Sequence, residues 1–78
     1  MIEVTNNMIN KLSDSIKEEI KFYLKDDTLS HRFFISNIIN STGTDESIVN
    51  FFDISNDFLN TLRIEIKELN EDISFMDR

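Results

Sequence analysis

Apolar residues recur at steps of three and four along two long stretches of this chain. That spacing follows the 3.6 residues of an α-helical turn, so the chain is constrained first to helices. The first stretch, about Thr5 to Lys25, carries Met8, Ile9, Leu12, Ile16, Ile20, Tyr23 and Leu24. Its other side holds Lys11, Asp14, Lys17, Glu18, Lys21 and Lys25, with Asp14 and Lys17, and Glu18 and Lys21, at helix-neighbour spacing. One amphipathic helix is expected there. The last stretch repeats the period through Ile48, Phe52, Leu59, Leu62, Ile66, Leu69, Ile73 and Met76, missing one step at Ser55. This heptad-like seam fits one helix of about thirty residues, or a short helix to about Asp53 followed by a long one capped by Ser55. Ser and Asp disfavour helix interiors and suit caps, which favours the break.

Between these stretches Leu29 to Asn40 is rich in β-branched and aromatic residues, which strands also prefer. Phe34 with Ile38, and Ile35 with Ile38 and Ile39, fit helical spacing better than alternation, so a helix is expected. Asp27 or Thr28 would cap its start. Its end falls at Asn40-Ser41-Thr42-Gly43, where the only glycine of the chain is expected to take the left-handed conformation past a helix C-terminus. Thr44 or Asp45 would then cap the next helix, with Asp45 and Glu46 complementing its dipole. The reading is an all-α single domain, residues 1–78. It is a small three-helix bundle or helical hairpin with a short middle helix and a long C-terminal amphipathic helix.

A chain of 78 residues buries only roughly 60 to 65% of its unfolded surface, so its core is thin. Disulfides, zinc ribbons and thiol chemistry are excluded because there is no cysteine, which fits a reducing cytoplasm. The sequence opens without a basic and then apolar leader pattern, and its longest apolar runs, Phe22-Tyr23-Leu24 and Phe33-Phe34-Ile35, are far too short to span a bilayer. A soluble cytoplasmic protein without membrane contact is expected. Fifteen acidic against eight basic side chains give a net charge of -7, which disfavours nucleic acid and favours basic partners. Ala, Pro, Gln and Trp are absent while Ile, Asn and Phe abound, the usage expected of AT-rich codons in a low-GC genome or a mobile element of one.

Little in the chain resembles catalytic chemistry. His31 lies between Ser30 and Arg32, but adjacency supplies neither an orienting third group nor an oxyanion hole, so a surface or capping histidine is expected. The acid pairs Glu18-Glu19, Asp26-Asp27, Asp45-Glu46 and Glu71-Asp72 lack the glycine and alternating ligands of a calcium loop. Neighbouring acids on a helix also diverge by about 100°, so they do not share a proton. With one glycine and no lysine after Thr42-Gly43-Thr44, no phosphate-cradling loop exists. No enzyme activity, cofactor or metal is expected.

Binding features are clearer. After Thr44 there are nine acidic side chains against three basic ones. Ile64 and Phe75, eleven residues apart, fall within about 20° of one another on a helix, off the main seam and near Glu68 and Glu71. Phe51, Ile54 and Phe58 form a further stripe that widens the apolar arc beyond one packing partner, unless the middle segment covers it. The expected partner-binding set is therefore Phe51, Phe58, Ile64, Glu65, Glu68, Glu71, Asp72 and Phe75. The expected role is a small acidic helical module that inhibits or neutralises a basic partner protein, in the manner of antitoxins, immunity proteins or phage and mobile-element accessory proteins. Two alternatives are a homodimeric structural or adaptor protein assembled through the C-terminal seam, and a regulatory protein with weak nucleic-acid contact.

Overall fold

A computed structural model describes the backbone of residues 1–24 and 28–76, and the side chains of residues 1–24 and 31–71. The elements are α1 (Asn6–Lys11), α2 (Asp14–Leu24), α3 (Thr28–Ile39), α4 (Asp45–Phe52) and α5 (Asn56–Met76). The protein is all-α, with no strand among the described residues. The three helical regions read from the sequence are present, but two of them are broken and the helices number five among the described residues.

The first break, at Leu12-Ser13, was not expected. Leu12 turns extended, with φ -63° and ψ 153°, and Ser13 starts a new helix. The Ser13 carbonyl accepts from the Lys17 N–H at 3.0 Å and its hydroxyl from the Ile16 N–H at 3.4 Å. The four-residue step from Leu12 to Ile16 survives the break, so both side chains still reach the core, at 3% and 1% exposure. Upstream, the Thr5 hydroxyl caps α1 by accepting the Met8 N–H at 3.2 Å.

The second break falls where cap chemistry placed it. Asp53 ends α4 in the left-handed conformation, φ 55° and ψ 48°, which a short polar side chain tolerates. The Ser55 hydroxyl then accepts the Phe58 N–H at 3.0 Å and opens α5. Thr44 is the cap of α4, its hydroxyl taking the Ser47 N–H at 3.1 Å.

The middle segment is helical, as its periodicity indicates. The choice between Asp27 and Thr28 as its cap lies outside the described residues. Its C-terminus corrects the expectation for Gly43, which does not have a positive φ. Asn40 closes the helix instead, its N–H bonding the Ser36 carbonyl at 3.0 Å. The Asn40 side chain also accepts the Ile2 N–H and donates to the Ile2 carbonyl, both at 2.9 Å. One amide thus satisfies both backbone groups of Ile2 and seats the N-terminal segment, where Val4 is buried, against α3.

Helix α5 packs on α1, α2 and α4, while α3 packs on α1 and α2. The core draws Met8, Leu12, Ile16 and Ile20 from the first pair, Ile35 and Ile38 from α3, and Phe58, Leu59, Leu62 and Ile66 from α5. Leu59, Leu62 and Ile66 are 0% exposed within one chain. That part of the seam is filled by α5's own neighbours in the chain. His31 is likewise no surface residue: it is 8% exposed, one turn before Ile35 on the inward face of α3. No helix of the described residues is long and apolar enough to cross a membrane.

Truncating a fully enclosed aliphatic side chain removes its transfer energy and leaves a cavity. Ile66→Ala is expected to cost about 2–5 kcal/mol, most of the stability of so small a fold, measured by urea unfolding followed by circular dichroism.

Candidate protein-binding surface

Aromatic rings run in an unbroken series across one side of the bundle. Tyr23 of α2 is its hub, with its ring 5.2 Å from Phe58 in an edge-on contact and 6.2 Å from Phe34. Phe34 meets Phe52 edge-on at 6.1 Å, and Phe52 meets Phe51 at 5.0 Å. At the other end Phe22 lies 5.6 Å from Tyr23. Such offset and edge-on pairs each contribute about 0.5–1.5 kcal/mol beyond area burial, so the series stiffens the junction of α2, α3, α4 and α5. The Tyr23 hydroxyl, at the wet edge of the series, accepts the Ser55 N–H at 3.3 Å. The two end members, Phe22 and Phe51, stand 83% and 82% exposed.

The residues expected to bind a partner separate into three groups. Phe58 is corrected: it is 1% exposed, under Tyr23, and cannot touch a partner. The left-handed turn at Asp53 breaks the helical phase of the Phe51, Ile54, Phe58 stripe, so Ile54 and Phe58 enter the core while Phe51 stays outside. Cover for Phe58 comes from α2 through Tyr23 rather than from the middle segment alone. Glu65 is half-buried and already engaged, its carboxylate accepting the Ser13 N–H and the Ser13 hydroxyl at 2.7 Å each. Phe51, Ile64, Glu68 and Glu71 are exposed, with Ile64, Glu68 and Glu71 at successive turns of α5. The side chains of Asp72 and Phe75 lie outside the described residues.

Beside Phe51 a cleft of about 690 Å³ opens between α4 and the end of α3. Ile48, Phe51 and Phe52 form its apolar wall, and Asn37, Asn40 and Ser47 belong to its polar lining. Phe52, half-buried at this edge, and Phe22 were missed as surface aromatics. Phe22 could have been noticed, because it lies off the apolar stripe of its helix and one turn from Glu18. No lysine or arginine occurs between Arg32 and Arg63, whereas Asp45, Glu46, Asp53 and Asp57 all fall there and are exposed. Asp45 pairs with Arg63 at 2.6 Å, tying α4 to α5. Among the described residues no group of three potential metal ligands comes together. Compared with known proteins, the chain matches no family model, no curated protein and no solved structure.

Glu65 and Glu68 are near neighbours on α5 with different surroundings, and substitution separates them. Glu65→Ala, which strips the Ser13 N–H and hydroxyl of their ionised acceptor, is expected to lower stability by about 1–3 kcal/mol. Glu68→Ala is expected to stay within about 0.5 kcal/mol in the same denaturation assay.

Proposed function

We propose that this protein is a small acidic helical module that binds a basic partner protein and thereby neutralises or inhibits it, with α4 as the main contact. The observation that carries this reading is Phe51. It is a phenylalanine 82% exposed at the end of a rigid ring series, beside an open cleft, in a stretch that contains acids and no base. Leaving such a ring in water gains the fold nothing, whereas inserting it into a partner removes a large apolar area and needs few torsions to be fixed. Aromatic anchors of this kind dominate interface energetics.

The surrounding acids supply the second half of the recognition. Glu46, Asp53 and Asp57 act mainly on encounter rate and on discrimination against acidic proteins, since exposed charges steer more than they hold. Ile64 with Glu68 and Glu71 on α5 repeats the same combination of an apolar contact and flanking carboxylates, and extends the contact when the partner is large enough to reach it. Neutralisation follows from occupancy: a partner whose basic surface is covered by this face loses access to its own acidic target.

The test uses the full chain immobilised as wild type, as Phe51→Ala and as Asp53→Lys/Asp57→Lys, exposed to lysate of the cell that expresses it. Wild type is expected to retain a basic protein with an affinity that falls as salt rises. Phe51→Ala should weaken that affinity by about tenfold or more. Equal retention by all three forms, indifferent to salt, contradicts the proposal.

A further inference from the structure

The lysines of α2 take no part in the acidic surface, yet they are gathered around a cavity. Lys17 and Lys21, one turn apart on α2, line a pocket of about 190 Å³ together with Ile9 and Asn10 of α1, Ile20 of α2 and His31 of α3. Among the described residues no carboxylate lines it. Asp14 and Glu18 stand at helix-neighbour spacing from these lysines. Even so, among the described residues the salt bridge is Asp45 with Arg63, and neither lysine has a carboxylate within 4.0 Å. In a chain with fifteen acidic and eight basic side chains, a pocket whose described lining offers two ammonium groups and no carboxylate differs from the acidic surface of α4.

The environment strengthens that difference. Ile9 is half-buried, Ile20 is 1% exposed and Lys17 is half-buried, so an anion here interacts with the ammonium charges at a lower effective dielectric than in open water. Two positive charges set the charge of the best ligand at two negative ones. Each ammonium offers up to three donors and the Asn10 amide offers two, a set that suits the several acceptor directions of a tetrahedral oxyanion. At about 30 Å³ per water, the pocket has room for a phosphate group with part of its hydration. We propose that the pocket between α1, α2 and α3 is a binding site for a phosphate group, free or carried by a small monoester. It shares no lining residue with the Phe51 cleft, so either site can fail without the other.

Inorganic phosphate is the probe, titrated into the ¹⁵N-labelled full chain at fixed pH and at ionic strength held constant with chloride. Saturable amide shifts are expected around Asn10, Lys17, Lys21 and His31, weakened at least about tenfold in Lys17→Met/Lys21→Met. Acetate, a single-charged carboxylate, should not saturate over the same range. Lys21→Met alone changes only an exposed side chain, so it keeps the test valid if the double variant loses its helical spectrum, and it should weaken binding several-fold. Linear shifts that match the chloride control, or shifts unaltered by Lys21→Met, overturn the site. Acetate binding as tightly as phosphate overturns the assignment to a doubly charged ligand.

Discussion

Burial of the α5 seam is the constraint on which the rest of the structure depends. Leu59, Leu62 and Ile66 are enclosed completely, and a fold this small has no disulfide to stand in for that contact. The consequences reach every other helix. The first amphipathic stretch must keep both Leu12 and Ile16 in the core, and it does so by breaking at Ser13 rather than running straight. Glu65, on the flank of the seam, fastens that break by taking the hydrogen bonds Ser13 has to give. Tyr23, nearly three turns further on, covers Phe58 at the start of α5 and passes the contact on to Phe34 and α4. The same residue that orders the core therefore anchors the ring series whose free end is Phe51.

What could be read from the sequence followed from how local each determinant is. The all-α class, the helical middle segment and the break at Ser55 depend on spacing and on cap residues within a few positions, and all three are present in the structure. The break at Leu12-Ser13 was hidden because the apolar rhythm continues across it and the acceptor that stabilises it lies 52 residues away. Gly43 drew the C-terminal turn by its reputation, whereas the turn is closed by Asn40, whose reason for being there is the N-terminal segment 38 residues upstream. His31 was legible in principle, since it stands one turn before Ile35, but a lone histidine beside a serine drew attention to chemistry rather than to packing.

The binding surface divides on the same line. Exposure of Phe51, Ile64, Glu68 and Glu71 was readable from their positions off the seam. Phe58 and Glu65 were not separable from them by sequence, because the turn at Asp53 shifts the phase of the stripe and because Ser13 is distant in the chain. Acids predominate along α4 and α5, and Lys17 and Lys21 stand along the pocket edge of α2. Under the proposed reading the acidic side meets a basic protein and the lysine edge holds a small anion. The two faces would then be occupied by ligands of opposite sign.

Leu59, Leu62 and Ile66 are enclosed within one chain, and under the proposed reading the aromatic and acidic surface of α4 is left for a different protein. Light scattering on a size-exclusion column, over a roughly hundredfold range of loading and at low and high salt, tests it most directly. A molar mass of 9.2 kDa is expected at every loading and in both salts. A dimer that resists dilution would contradict it, because the seam or the Phe51 face would then be occupied by a second copy of the chain.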